Sequence, residues 1–139
     1  MAQNDSHDGG CLCGAVRYRI TGPIDVVAHC HCTLCRRASG AAVVTWVSVP
    51  VDHFAYTNGE PATYHSSDHG RRQFCTSCGT PLVFTSTKRP EDVDITLGTL
   101  DQPEAHPARF HVFTADKVPW LHLDEDLPAY SGFSPDADA

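Results

Sequence analysis

Cysteine is the residue type that most constrains how this chain can fold. The sequence contains seven cysteines, and all of them fall in three tight groups. The groups are Cys11 with Cys13, Cys30 with Cys32 and Cys35, and Cys75 with Cys78. Cysteines that serve as small apolar core residues would be scattered among strand positions instead. The grouping therefore predicts metal binding, and an odd number of cysteines cannot pair completely into disulfides.

The third group has the spacing of a zinc knuckle. In a C-x-x-C turn the thiolates of Cys75 and Cys78 point towards one tetrahedral ion, and Gly79 lets the backbone curl beneath it. A redox-active pair of thioredoxin type would need a helix that starts at the motif, which the glycine and proline that follow exclude. Because Cys11 and Cys13 supply two further sulfurs, we predict a closed four-cysteine zinc site with a structural role.

The middle group offers three ligands from one short segment. Three protein ligands with an exchangeable fourth position are typical of catalytic zinc, so Cys30, Cys32 and Cys35 are candidate catalytic residues. A histidine could close this site instead, and His29 and His31 are the nearest along the chain. Spacing alone leaves the open and closed sites equally plausible. It also permits other groupings, such as the first two of these cysteines with the C-x-x-C pair.

Length and composition indicate one mainly β domain with little helix. A chain of 139 residues can form one hydrophobic core, and ten glycines with ten prolines favour turns over long helices. We place the domain at residues 9–130, between polar segments 1–8 and 131–139 that we predict to be flexible. The predicted strands are Ala15–Ile20, Ala41–Val49, His53–Tyr56, Ala62–His65, Arg72–Phe74, Pro81–Thr85, Val93–Leu97 and Arg109–Phe113. One helix is predicted over Thr33–Ser39, ending at Gly40.

Charge and hydropathy weigh against two classes of partner. The formal net charge of −7 argues against nonspecific nucleic-acid binding, which depends on Lys and Arg. The longest apolar stretch, Ala41–Val51, falls short of the roughly 20 residues that cross a bilayer. The first residues lack the basic and apolar parts of a secretory signal. We therefore expect a cytoplasmic protein, in a compartment where disulfides are rare.

Three ordered motifs together resemble a known family. They are residues 10–18 (GCLCGAVRY), 30–40 (CHCTLCRRASG) and 74–80 (FCTSCGT). These motifs resemble the glutathione-dependent formaldehyde-activating enzyme family, whose domain centromere protein V shares, over roughly residues 9–130. The resemblance implies an Mss4-like, zinc-stabilised β fold that holds two Zn²⁺ ions. The implied ligands are Cys11, Cys13, Cys75 and Cys78 for a structural zinc, and Cys30, Cys32 and Cys35 for a second, catalytic zinc.

The resemblance also implies a reaction and a partner. The family's named enzyme joins glutathione and formaldehyde into S-(hydroxymethyl)glutathione, so we expect a carbon-sulfur lyase that handles a small thiol such as glutathione. Arg36 and Arg37 directly follow the third ligand and are candidate substrate-binding residues, because guanidinium groups bind carboxylates in a bidentate way. We expect Trp46 in the core. Nothing in the sequence places Arg71 and Arg72 at the site.

Two other functions remain as alternatives. One is a noncatalytic zinc-structured module that binds another macromolecule, although the low Lys and Arg content weakens its nucleic-acid form. The other is a thiol or metal sensor, in which the middle cysteines exchange metal or become oxidised. The number of zinc ions per chain and the response to small thiols separate these functions from an enzyme.

Overall fold

Ten short strands dominate the structure, a computed structural model that describes residues 5–134. The strands are β1 (Ser6–Gly10), β2 (Arg17–Thr21), β3 (Val26–Cys30), β4 (Val44–Pro50), β5 (Phe54–Asn58), β6 (Ala62–His65), β7 (Gly70–Phe74), β8 (Pro81–Ser86), β9 (Asp92–Thr96) and β10 (Phe110–Val112). Helix α1 spans Thr33–Ser39, and short 3₁₀ turns join several strands. The predicted mainly β, single-domain fold is confirmed. No helix within residues 5–134 is long and apolar enough to cross a membrane.

The smaller sheet is antiparallel and has the order β1-β2-β5. Side chains alternate between its two faces because a strand has a side-chain period of two. In β2, Tyr18 and Ile20 are fully buried, whereas the arginines beside them face outward. Arg19 pairs there with Asp8 of β1. The alternation of β2 therefore fixes which face of this sheet enters the core.

The larger sheet has the order β10-β3-β4-β9-β8-β7-β6, with one parallel pair, β10 and β3. Strand β4 lies inside this sheet, between β3 and β9, and its two faces have different surroundings. Val47 and Val49 are buried in a core cluster that includes side chains from both sheets. Val44, Trp46 and Ser48 lie on the opposite face, which we call the outer face. One face of the larger sheet thus supplies the core, and the outer face is left for other contacts.

Each cysteine cluster belongs to a different hydrophobic cluster. Cys11 and Cys75 are members of the larger one, together with the buried residues of β2 and β9 and with Val47 and Val49 of β4. Cys30 and Cys35 are members of a smaller one on the outer face, which also includes Val112 of β10. The two predicted sites therefore have different surroundings, one in the main core and one beside it.

Helix α1 has the bounds that the sequence predicts. It begins directly after Cys32, and Cys35 is its one buried residue. Gly40 ends it in the left-handed conformation, with φ of 75°, and donates its N–H to the Arg36 carbonyl at 2.7 Å. Glycine is favoured there because a side chain would make this φ costly. The turn after Gly40 returns the chain to β4.

The sequence misses two strands and misplaces one boundary. All eight predicted strands are confirmed within three residues at each end, but β1 and β3 were not predicted. Strand β1 begins at Ser6, so the prediction of a flexible end is wrong for Ser6 to Asp8, which backbone pairing with β2 orders. At the other end Phe133 packs against Phe113, with ring centroids 4.7 Å apart. Residues 1–4 and 135–139 of the predicted ends lie outside the described residues.

Candidate metal centres

Four thiols converge where the first and third cysteine groups meet. The sulfur atoms of Cys11, Cys13, Cys75 and Cys78 all lie within 4.8 Å of one another. Cys13 Sγ is 3.6 Å from Cys11 Sγ and 3.8 Å from Cys75 Sγ. Four sulfurs at about 2.3 Å from a tetrahedral zinc are about 3.8 Å apart, so this donor set fits zinc.

The backbone around these thiols forms two matching turns. Gly14 follows one pair and Gly79 the other, and both have φ of 81°. Each glycine donates its N–H to the carbonyl of the first cysteine in its group, Cys11 or Cys75. The hydrogen bond with the Thr80 hydroxyl lowers the pKa of the Cys78 thiol to about 5. These turns point their sulfurs to one place, and the thiolate form that binds metal is favoured at Cys78.

The middle group forms a second, separate cluster. The sulfurs of Cys30, Cys32 and Cys35 lie within 4.8 Å of one another, and those of Cys30 and Cys35 are 3.6 Å apart. Cys30 ends β3, Cys32 precedes α1, and Cys35 lies in the first turn of that helix. The alternative grouping with the C-x-x-C pair is not observed. The strand-to-helix turn alone therefore brings these three thiols together.

Among residues 5–134, no histidine or carboxylate joins this cluster as a fourth donor. His31, although fully buried, has its Nε2 at 2.9 Å from His111 Nδ1. His29 has its Nδ1 at 2.8 Å from the Thr45 hydroxyl oxygen. Each of these two histidines thus has a hydrogen-bonding partner outside the cluster, and the described cluster offers three thiol donors.

A short network of histidine hydrogen bonds links the segment of Cys30, Cys32 and Cys35 to the residues around His111 and Asp124. His111 Nε2 donates to the Asp124 carbonyl oxygen at 2.9 Å, so His111 Nδ1 accepts from His31 Nε2. Burial lowers the pKa of His31 to about 4, which keeps its ring neutral. His29 Nε2 donates to Asp124 Oδ2 at 2.8 Å. Asp124, itself in the left-handed region with φ of 46°, therefore receives hydrogen bonds from two of the three histidines.

Arg72 of β7 brings a positive charge to the three thiols. Its Nη2 lies 3.9 Å from Cys35 Sγ, and its guanidinium carbon lies 4.8 Å from the centre of the Phe84 ring. The hydrogen bond from the Cys30 thiol lowers the pKa of Cys35, and the charge of Arg72 acts in the same direction. The stacked guanidinium is held in place by a cation–π contact, so its charge has a fixed position.

Two cavities meet at this cluster. The larger has about 580 Å³ and lies between α1 and strands β6 to β8. The smaller has about 230 Å³ and lies on the outer face, against β3, β4, β8, β9 and the residues around β10. Both are lined by Leu34, Cys35, Trp46, Ser66 and Arg72. Cys35 thus borders both of these adjacent cavities.

The remaining predicted residues have mixed placements. Arg37 lines the larger cavity, whereas Arg36 lines neither and has its Nη2 at 3.4 Å from the Thr33 hydroxyl. Trp46 is half-buried on the outer face, where it packs against the smaller hydrophobic cluster rather than in the main core, and it lines both cavities. Arg72 was not assigned by the sequence. In β7, Arg72 points to the opposite face of the sheet from Arg71 and Gln73. The sequence alone does not show that this face lies against the three thiols, because that depends on the strand order.

Comparison with known proteins identifies the family. A family model described as glutathione-dependent formaldehyde-activating enzyme matches residues 6–116. The chain belongs to this family. The match confirms the resemblance that the three cysteine motifs indicate, and it includes all seven cysteines of the two clusters.

Two further proteins are similar to this member of the family. A Halomonas elongata protein provisionally named a glutathione-dependent formaldehyde-activating enzyme is 26% identical over 126 residues, which cover 84% of this chain and 80% of that protein. A crystal structure of a Rhodobacter sphaeroides protein, solved as a structural genomics target, superposes with a TM-score of 0.59. It is 20% identical, and the match covers 73% of this chain and 96% of that one. This second likeness supports the fold.

Proposed function

We propose that this chain is a zinc-dependent enzyme of the carbon-sulfur lyase type, which joins the thiol of glutathione to formaldehyde or a related aldehyde. The observation that carries the proposal is the position of the three-cysteine cluster, where two cavities meet beside Arg72. Family membership supports the choice of glutathione and an aldehyde as reactants. The predicted cytoplasmic location is part of the same proposal.

We assign zinc to both clusters because thiolates are ligands that zinc prefers. Cys11, Cys13, Cys75 and Cys78 form a complete tetrahedral set, so their role is structural. Zinc held by the three cysteines of the other cluster would supply a Lewis acid that keeps an incoming thiol deprotonated at neutral pH. Residues of the chain then have to bind the reactants and balance their charge.

Arg72 is the residue placed to balance charge at the reacting sulfur. Three cysteine thiolates and a substrate thiolate concentrate negative charge in one place, and the guanidinium lies 3.9 Å from Cys35 Sγ. Arg37 lies further along the larger cavity, where it can bind a carboxylate of the tripeptide. Bringing the two reactants together in one orientation lowers the entropic part of the barrier.

The reaction needs no other cofactor. A bond forms between the glutathione sulfur and the carbonyl carbon, and the π electrons of the carbonyl group move to its oxygen. That oxygen takes up the proton that the thiol has lost. Because no electrons are gained or lost overall, no oxidant or reductant is required.

Cobalt substitution tests this proposal. We expect the full chain to bind two Co²⁺ ions in thiolate-rich sites, and glutathione to change the visible absorption of one of them. S-methylglutathione, which has no free thiol, is the matched control and should leave the thiolate-to-cobalt bands unaltered. If neither glutathione nor other small thiols change the spectrum, the glutathione function is wrong and a noncatalytic zinc module becomes the better hypothesis.

A further inference from the structure

The two cavities that meet at Cys35 share Arg72 and differ in their other charged residues. Arg37 and Arg72 line the larger one, and no carboxylate is among its described lining residues. Glutathione carries two carboxylates and one ammonium group, so it has a net negative charge that this cavity can balance. The volume of about 580 Å³ is in the range of cavities that bind small molecules of this size.

The smaller cavity is mainly apolar, and apart from Arg72, which lines both cavities, its two charged residues form an ion pair. Arg89 Nη2 is 3.0 Å from Asp94 Oδ2, which is the only carboxylate among the described residues that line either cavity. Besides the three cysteines and three serines, five aromatic rings line it: Trp46, Phe84, Phe110, Phe113 and Phe133. This space therefore suits an uncharged apolar group and gives a tripeptide little to bind.

Its size is too large for formaldehyde. An apolar cavity of about 150 Å³ holds a benzene molecule, whereas a water molecule occupies about 30 Å³ of the liquid. Formaldehyde has two heavy atoms and is close to water in size. The smaller cavity has about 230 Å³ and also borders Cys30, Cys32 and Cys35, so a metal ion held there and formaldehyde would together fill only part of it. The space left can take an aromatic ring.

The geometry of the rings favours an aromatic occupant. Phe113 and Phe133 meet edge to face, at 4.7 Å and 72°, and Trp46 and Phe84 are tilted at 55° with centroids 6.3 Å apart. Aromatic groups gain more from such edge-to-face contacts than from the burial of area alone. A ring that enters between these pairs finds both faces and edges to contact.

The backbone of Phe113 provides an independent sign that this cavity is functional. Phe113 has φ of 56° and ψ of 40°, a left-handed conformation that bulky residues rarely adopt. Outliers of this kind cluster at ligand sites, where the surrounding structure holds a side chain in place for a purpose. Here the strained residue is one of the cavity-lining rings.

We propose that the aldehyde used by this chain carries an aromatic ring, which occupies the smaller cavity while glutathione occupies the larger one. The inference rests on the proposed function and names its second reactant. The bond formed is the one between the glutathione sulfur and the aldehyde carbon, and the thiol proton ends on the aldehyde oxygen. The product is an S-(hydroxyarylmethyl) adduct of glutathione.

Calorimetric titration of the zinc-loaded full chain with stable thioethers tests this. S-benzylglutathione carries a ring on the carbon next to sulfur, and S-methylglutathione carries only that carbon. We expect the benzyl compound to bind about tenfold to a hundredfold more tightly, which is the gain from burying a Phe-sized ring. S-hexylglutathione, which has an apolar chain and no ring, should bind less tightly than the benzyl compound.

Variants locate the effect. Phe113→Leu should lower the benzyl-to-methyl affinity ratio at least severalfold, and Phe133→Ala, at a residue that is 54% exposed, should lower it without endangering the fold. Phe54→Leu is the matched control, because this ring contacts Tyr18 and Tyr56 and lines neither cavity.

The possible outcomes separate the two proposals. Equal affinity for the methyl and benzyl compounds would overturn the aromatic aldehyde and leave the glutathione function intact. Equal affinity for the hexyl and benzyl compounds would also overturn it, in favour of aliphatic aldehydes. If none of the three binds and cobalt at the three-cysteine site does not respond to glutathione, the proposed function itself is wrong.

Discussion

The four-cysteine and three-cysteine clusters both consist of thiols, but they differ in how far apart along the chain these thiols lie and in which hydrophobic cluster surrounds them. The first joins segments that are 62 residues apart between Cys13 and Cys75, and two of its thiols lie in the main core. The second comes from one strand-to-helix turn and belongs to the smaller hydrophobic cluster on the outer face. A site that joins distant segments removes chain entropy and stabilises the fold, whereas a local site contributes less to folding and is available for chemistry.

Removing one ligand from each cluster is the most direct test of this difference between the two sites. Cys78→Ser should lower the free energy of unfolding by more than about 5 kcal/mol, because a structural zinc site contributes directly to folding. Cys32→Ser should leave the fold intact and abolish activity. Denaturant unfolding followed by circular dichroism, with zinc counted in each variant, measures both effects.

The exposed Ser77 in the same turn offers a matched control for this pair. Ser77→Ala should retain both zinc ions and the stability of the parent chain. If Cys32→Ser unfolds the chain as severely as Cys78→Ser, the division into structural and catalytic sites is wrong.

Charge at the three-cysteine site is the next difference to test. Arg72→Gln should weaken glutathione binding by about tenfold or more, since a charged hydrogen-bonding partner contributes about 1.5–3 kcal/mol. Arg72→Lys keeps the charge but loses the planar stacking on Phe84, so an intermediate affinity is expected. Titration calorimetry measures each affinity. Arg71→Gln is the control, because Arg71 contacts backbone carbonyls and lines neither cavity.

Zinc content should be unchanged in all of these arginine variants. An Arg72→Gln variant that binds glutathione as tightly as the parent chain would show that the thiolate cluster needs no positive neighbour. The role assigned to Arg72 would then be wrong.

The smallest expected effect concerns how each site is held in place. The three-cysteine segment is supported by protein hydrogen bonds, and Asp124→Ala removes the carboxylate that His29 contacts. We expect a loss of at least about 1 kcal/mol in unfolding free energy, because His29 is only 7% exposed and water can replace only part of its contact with the half-exposed Asp124. Part of the loss comes from alanine at the φ of 46° of this residue. Urea unfolding measures the loss, and the exposed Asp126→Ala is the control.

An unchanged stability in Asp124→Ala would mean that the histidine network does not support the ligand segment. The difference between the two clusters in how they are held in place would then depend only on the metal ions that they bind.

Much of the fold follows from local patterns in the sequence. Helix α1 is predicted with its observed bounds because Gly40 marks its end, and β2 is predicted because Tyr18 and Ile20 alternate with arginines. Strand β1 is missed because Ser6–Gly10 has no β-branched residue and is ordered by backbone pairing. Strand β3 is missed because its last residue, Cys30, belongs to the three-cysteine motif, for which the sequence predicts a metal-binding loop.

The candidate site is only half readable from the sequence. Spacing identifies the three middle thiols because one turn contains them all. Arg72 and Phe84 come from β7 and β8, and their contact with this turn depends on a strand order that no local pattern contains. We expected Trp46 in the core, but side chains alternate along β4, and Trp46 lies on the outer face with Val44 and Ser48.

The parallel pairing of β10 with β3 has a consequence for how the protein is made. The three thiols up to Cys35 leave the ribosome early, whereas β10 and Phe133 leave late, at about 5–20 residues per second. Until then the edge of β3 lacks its partner, and the smaller cavity lacks its late-synthesised rings. A nascent chain therefore presents the three thiols before it contains the residues that complete the smaller cavity. If the proposed function holds, the metal ligands are synthesised before the aldehyde-binding rings.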